Sequence, residues 1–167
     1  MVLRKLLLAG LVLAVLRAVA AGPVVCAVGD LQREALQRVN AVRTAGHRCG
    51  ARAMPPTSVV GWDVSLDAAA SSHSHDMAQR DYFEHRSPEG QGVRERAAAY
   101  LYPARMLGEN IARGDSGIEE AMQSWMDSVD HCSNIMDPEF TDLAVACASQ
   151  PGIERGTYWT MLLGRKR

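Results

Sequence analysis

The segment that begins at residue 118 constrains the fold most, because its apolar residues follow the period of an α-helix most regularly. These residues fall at i, i+3, i+4, i+7, i+8 and i+11, namely Ile118, Ala121, Met122, Trp125, Met126 and Val129. The run Ser116-Gly117-Ile118-Glu119 has the form of a capping box, and Asp137-Pro138 ends the pattern. We therefore predict a long helix, whose apolar face must pack against a second layer of structure.

The rest of the chain shows further helical patterns and, near its end, short apolar runs. Asp30 precedes one helical pattern and Gly46 follows it, while Asp63 or Ser65 can cap the next. The last two apolar runs flank a turn, which predicts an antiparallel pair of strands. The fold class is therefore α+β, with helices layered on a small antiparallel sheet. We predict helices over 31–45, from after Trp62 to near Arg80, and over 93–101, a loop over 46–61, and strands over 105–112, 143–149 and 157–164.

The first twenty residues have the order of a secretory signal peptide. Two basic residues come first, an apolar run follows from Leu6 to Leu16, and Ala18-Val19-Ala20 fits a cleavage site. The alternative is an uncleaved anchor, but the run is shorter than the roughly 20 residues that span a bilayer. We predict a signal peptide over 1–20, an N-terminal segment over 21–30, a domain over 31–167 and a secreted or periplasmic location, with no membrane span after cleavage.

Four cysteines remain after the predicted leader, and an even number on a secretory route favours disulfides. They are Cys26, Cys49, Cys132 and Cys147, which allow three connectivities. We favour Cys26–Cys49 and Cys132–Cys147, because each pair brackets one local unit. The spacings contain no C-x-x-C element, so a zinc–cysteine site is a poor alternative.

Three histidines lie close together in the sequence, but helical phase separates them. His73 falls on the stripe of Leu66, Ala70 and Met77, so its side chain is predicted to point inward. His75 lies about 200° around the helix and should face solvent. His85 follows the helix, on a segment able to turn back. The simpler interpretation of His73 is a core histidine with a satisfied hydrogen bond.

Two further polar residues lie in apolar surroundings. Glu109 falls between Leu107 and Ile111, and charged residues are seldom buried without a partner. Its simpler interpretation is an edge-strand glutamate that faces water. His131 follows the helix of residues 118–129, where the simpler interpretation is an interaction with the helix dipole. The residues permit a pocket of histidine and glutamate, without showing that these side chains meet.

Five motifs in a fixed order resemble the CAP superfamily, named for cysteine-rich secretory proteins, antigen 5 and pathogenesis-related 1 proteins. The likeness covers about residues 31–164 and is greatest to its small bacterial secreted members, also called SCP domains. The motifs are A-x-x-H-x-x-D-M-A (70–78), YFEHRSPEG (82–90), GENIARG (108–114), SWMDSVDHCSNIM (124–136) and YWTMLLG (158–164).

The resemblance implies a three-layer α-β-α sandwich with a central cleft. In eukaryotic members two histidines and two acidic residues line this cleft and hold a divalent cation. His85 and Glu109 match the first of each, whereas the second acid falls near Ser128 and the second histidine at Tyr158. Bacterial members instead have histidines at the positions of His73 and His131. The residues expected at the cleft are His73, His85, Glu109, His131 and Tyr158, with His85, Glu109 and His131 as candidate zinc ligands.

Three functions fit this chain at the level of sequence. The first is a secreted, non-catalytic binding domain for a small apolar ligand, such as a lipid, or for an extracellular protein, because no activated nucleophile is evident. The second is a metal-dependent hydrolase with Glu109 as general base, although no H-E-x-x-H motif is present. The third is a purely structural secreted domain. A formal net charge of −1 gives no case for nucleic acid.

Overall fold

The computed structural model describes residues 24–26, 30–153 and 156–167. The predicted signal peptide over 1–20 lies outside the described residues. The elements, in chain order, are β1 (Val24–Val25), α1 (Leu31–Ala45), β2 (His47–Cys49), β3 (Arg52–Met54), β4 (Gly61–Trp62), α2 (Val64–Arg80), α3 (Val93–Ala99), β5 (Ala104–Arg113), α4 (Ile118–Asp127), α5 (Val129–Met136), β6 (Asp142–Ser149) and β7 (Thr157–Lys166).

The main sheet has the strand order β1-β6-β7-β5, with the short strand β4 parallel to β6. The strands β6 and β7 pair antiparallel, as predicted, and β5 pairs antiparallel with β7. Within the described chain β5 therefore forms one edge of the sheet. The predicted loop over 46–61 contains a separate hairpin of β2 and β3.

Helices cover both faces of this sheet, because successive strand residues point to opposite sides. On β7, Trp159, Met161 and Leu163 pack in one cluster with residues of α1, α4 and α5. Leu162 packs on the other face, with Leu66 of α2 and with α3. The predicted three-layer α-β-α sandwich is confirmed.

Two aspartates start the first two long helices, as their sequence positions predict. The Asp30 side chain accepts a hydrogen bond from the Arg33 backbone N–H, and α1 starts at the next residue. Asp63 Oδ1 accepts from the backbone N–H groups of Ser65 and Leu66, both at 2.9 Å. These caps fix the start of α2 and hence the rotation of its histidines about the helix axis.

The single long helix predicted from residue 118 onward is wrong, because the segment forms two helices, α4 and α5. Ser128 is extended, with φ −90° and ψ 127°, and separates α4 from α5. Val129, which the periodic pattern places on the buried face, is 53% exposed for this reason. The predicted capping box is also wrong, because Ser116 donates to Glu120 and Gly117 occupies the N-cap.

The disulfide pairing favoured from the sequence is wrong, although all four cysteines are bonded. Cys26 pairs with Cys147, which fastens the segment after β1 to β6, and Cys49 pairs with Cys132, which fastens the hairpin to α5. The prediction paired cysteines that are close in sequence, whereas both bonds join elements that are distant in sequence and come together only in the folded layers. Closing loops of 121 and 83 residues stabilises the fold by roughly 4–5 kcal/mol each on the chain-entropy model.

Candidate functional site

The carboxylate of Glu109 is the centre of the candidate site. Glu109 lies on the edge strand β5, on the face covered by α2 and α3, and its side chain is only 4% exposed. Oε1 lies 2.8 Å from Nδ1 of His85, and Oε2 pairs with the guanidinium of Arg96. Gly108 precedes it where a Cβ would lie 3.0 Å from the Phe140 ring, so a side chain at this position would crowd the ring.

Arg96 on α3 joins the carboxylate to the loop that carries His85. Its guanidinium is buried and donates to the backbone oxygens of His85, at 3.2 Å, and Gln91, at 2.9 Å. One side chain therefore neutralises Glu109 and holds both ends of the 85–91 segment. The histidine reaches the carboxylate because the arginine fixes the path of its backbone.

The charges of the three groups support one another. Burial alone raises the pKa of Glu109, but the His85 hydrogen bond and the Arg96 charge outweigh it, so the pKa lies below its usual value. The hydrogen bond to Glu109 outweighs burial and raises the pKa of His85. Because an ionised carboxylate only accepts, His85 donates through Nδ1.

His73 lies beneath this group and is almost fully buried, at 1% exposure. Its Nε2 lies 3.0 Å from the backbone oxygen of Glu84, so this nitrogen carries the hydrogen. Burial lowers the pKa of His73 to about 4, and the ring is therefore neutral at pH 7. Its predicted inward direction is confirmed, as is the exposure of His75.

His131 approaches from the other helical layer. Next to Glu109, Asn110 faces α5, where its Nδ2 donates to the His131 backbone oxygen at 3.1 Å and its Oδ1 accepts from Asn134 at 2.9 Å. Burial, followed by the positive charge of His85, lowers the pKa of the half-buried His131. Groups from both faces therefore meet around the exposed edge of β5.

Tyr158 lies apart from this cluster. In the β5–β7 pair, Leu162 is opposite Glu109 whereas Tyr158 is opposite Arg113, four residues along and about 13 Å away. The Tyr158 hydroxyl donates to Asp81 at 2.7 Å, and its ring packs against the Arg113 guanidinium. We expected Tyr158 to line the cleft together with the histidines, but its side chain lies away from them.

The donor set around Glu109 fits a bound cation poorly. Both carboxylate oxygens are engaged, one of them by a permanently charged guanidinium, and a second cation would be repelled at that position. Within the described parts of the chain, no group of three or more His, Cys, Asp or Glu side chains is arranged to hold a metal ion. The zinc set of His85, Glu109 and His131 stays a prediction.

Three residues of the site were not singled out from the sequence: Arg96, Asn110 and Asn134. Arg96 could have been found from the need of a buried Glu109 for a permanent positive partner. Asn110 follows Glu109 in the G-E-N motif. Because successive residues of a strand point to opposite faces, its side chain is predicted to contact the helical layer on the other face.

The fold and the site together define a class of protein. An α-β-α sandwich, a G-E-N segment on its edge strand and a histidine from the loop after α2 are the arrangement expected of an SCP domain. The family model described as CAP, the cysteine-rich secretory protein family, matches residues 36–163. The chain belongs to this family.

Two relatives of this chain come from Bacillus subtilis strain 168. The uncharacterized protein YkwD is 34% identical over 98 residues, which are 59% of this chain and 36% of that protein. The uncharacterized membrane protein YlbC is 28% identical over 97 residues, which are 58% of this chain and 26% of that protein. The matched regions thus span about a third or less of these relatives.

Solved structures share the fold. An extracellular SCP-domain protein of Bacillus anthracis superposes with a TM-score of 0.67 at 26% identity, over 81% of this chain and 40% of that one. An outer surface protein of Borrelia burgdorferi gives 0.70 at 12% identity, over 83% and 95%. Venom allergen-like protein 4 of Schistosoma mansoni gives 0.58 at 13% identity, over 84% and 91%. The last two support the fold alone.

Proposed function

We propose that this chain is a secreted, non-catalytic binding domain, whose ligand contacts His85 at the edge of β5. The carrying observation is that both oxygens of Glu109 are engaged, one by Arg96 and one by His85. A carboxylate held in this way positions a histidine, and because its side chain is only 4% exposed it offers a substrate little access. This supports binding over general-base catalysis, which needs a base within reach of the proton it takes.

Two observations support the secreted location, namely the disulfides and one similar structure. The chain has two disulfides, which persist in oxidising compartments. One of the similar structures, at 26% identity, is an extracellular protein. Among the described residues, no helix is long and apolar enough to cross a membrane.

The exposed side chains at and near His85 indicate which kind of ligand would bind. Since Nδ1 donates to Glu109, Nε2 is the remaining nitrogen on a side chain that is 55% exposed; it donates in the imidazolium form, which Glu109 favours by raising the pKa of His85. An exposed apolar side chain, Phe83 at 39%, lies two residues before His85 in the sequence. A small lipid with a hydrogen-bond-accepting head group complements this combination of a donor and apolar surface.

Calorimetric titration with sodium dodecanoate tests this proposal. We expect the wild-type chain to bind it and His85→Ala to bind about tenfold more weakly, the loss of one charge-assisted hydrogen bond. The matched control is His75→Ala, an exposed histidine on α2 outside the cluster. Equal binding by both variants, or none by the wild type, would contradict the proposal. Zinc affinity that falls in a His85→Ala/His131→Ala variant would favour the cation site instead.

A further inference from the structure

A groove lined mainly by polar residues lies between α2 and α3. It shares His73 and Arg96 with the candidate site but goes beyond the proposed function, because His85, Glu109 and His131 do not line it. The groove has a volume of about 700 Å³, within the range of small-molecule sites. One wall is the solvent side of α2, and the other is formed by the 87–91 loop and α3.

Two buried nitrogen atoms belong to residues that line this groove. They are Nδ1 of His73 and Nε of Arg96, and neither has a hydrogen-bond partner among the residues that the structure describes. Unpartnered buried polar atoms are rare in folded proteins and require a reason. His73 uses Nε2 for Glu84, so its Nδ1 is an acceptor, whereas Arg96 Nε is a donor. Hydroxyl groups, which both donate and accept, complement each of these two atoms.

The charges on the walls are paired with one another. Arg80 binds Glu89 through two hydrogen bonds, of 2.9 and 2.6 Å, and also approaches Asp76 at 3.4 Å. The Arg96 guanidinium is neutralised by Glu109. This balance favours an uncharged ligand over an anion or a cation, because neither would find an uncompensated partner.

The other wall groups are hydroxyls and amides. Ser71, Ser72, Gln79 and Gln91 line the groove, and the two glutamine side chains are exposed. Tyr100 lies on α3's side of the groove and is 39% exposed, which offers a ring for the apolar face of a flat ligand. Hydroxyls, amides and one aromatic ring are complementary to a sugar that carries amide substituents.

We propose that this groove binds a carbohydrate that bears both hydroxyl and acetamido groups. The hydroxyl groups of the sugar contact the serines and the unpartnered nitrogens of His73 and Arg96. Its acetamido group exchanges hydrogen bonds with the side-chain amides of Gln79 and Gln91.

The test is calorimetric titration with N,N′,N″-triacetylchitotriose. We expect Gln79→Ala/Gln91→Ala to bind it about tenfold more weakly, the loss of two hydrogen bonds. The Gln91 backbone, and not its side chain, serves Ser87 and Arg96, so the fold should persist. The matched control is Gln32→Ala/Gln37→Ala, which removes two exposed amides from α1.

Equal binding by the two double variants would overturn the proposal, as would the absence of binding by the wild type. Cellotriose has the hydroxyls without the acetamido groups and should bind more weakly than the chitin trimer. Equal affinity for both sugars would contradict recognition by the glutamines.

Discussion

The two faces of the central sheet are packed in different ways. The face covered by α1, α4 and α5 buries large side chains, among them Trp125, Trp159 and Phe140. The face covered by α2 and α3 buries many alanines, among them Ala69 and Ala144. Large groups remove more apolar surface from water, whereas alanines let a helix lie close to the sheet.

The alanine face also carries the buried polar groups of the site. Ser74 on α2 donates to Thr160 at 2.8 Å, and Glu109, Arg96 and His73 follow on the same side of the sheet. One face therefore supplies most of the apolar burial, while the other holds a polar network in fixed positions. Substitutions that act on only one face test this division.

The largest effect is expected from Trp125→Ala on the tryptophan face. This side chain is fully buried, so its removal should lower the free energy of unfolding by about 4 kcal/mol. Urea denaturation followed by circular dichroism measures the change. The control is Trp62→Ala, which removes a partly exposed ring that packs against both clusters; an equal loss there would show that full burial on the tryptophan face does not set the effect.

On the alanine face, Arg96→Met should cost about 3 kcal/mol, because it leaves the Glu109 carboxylate buried without its charge partner. Arg38→Met is the matched control, since Arg38 pairs with Glu119, which is 79% exposed, and such pairs contribute under about 1 kcal/mol. A second substitution, Glu109→Gln, should recover part of the loss in Arg96→Met. Failure to recover any would show that the arginine acts by packing alone.

His73 should make the alanine face sensitive to acid. Its pKa falls from 6.5 in the unfolded chain to about 4 in the fold, so the unfolded state binds the proton more readily. This contribution to stability is fully present above pH 6.5 and is lost as the pH falls toward 4, by about 3 kcal/mol. In His73→Gln this loss should disappear from the dependence of unfolding free energy on pH, whereas His75→Gln should keep it. An unchanged profile in His73→Gln would refute the assignment.

The smallest effect concerns His85, whose pKa is raised by Glu109. Its contribution to stability is present below pH 6.5 and is lost as the pH rises through the folded pKa. Because the side chain is 55% exposed, His85→Ala should cost less than about 1 kcal/mol. Titration of the ring by NMR should show its pKa fall in Glu109→Gln. A pKa that does not move would mean that the carboxylate does not set it.

Features fixed by neighbouring residues could be predicted from the sequence. The caps at Asp30 and Asp63 mark helix starts through local hydrogen bonds. Helical phase alone separates His73 from His75, and the regular apolar patterns place Trp125 and Trp159 in the core.

Features that depend on distant partners could not be predicted in this way. Arg96 contacts Glu109 only because α3 packs beside β5. The seven residues of α3 contain no pattern that predicts this pairing. The apolar pattern runs on through Ser128, so the break between α4 and α5 is invisible to periodicity. The disulfides likewise join elements from opposite ends of the chain.

The two disulfides are nested, and this sets an order of events during synthesis. Cys26 and Cys49 both leave the ribosome before Cys132 and Cys147, so the first two thiols meet each other before either native partner exists. Cys49 waits for 83 more residues, about 4 to 17 seconds at ordinary elongation rates. A correct oxidised chain therefore depends on folding that brings both halves together before its thiols are committed, or on exchange that releases an early Cys26–Cys49 bond.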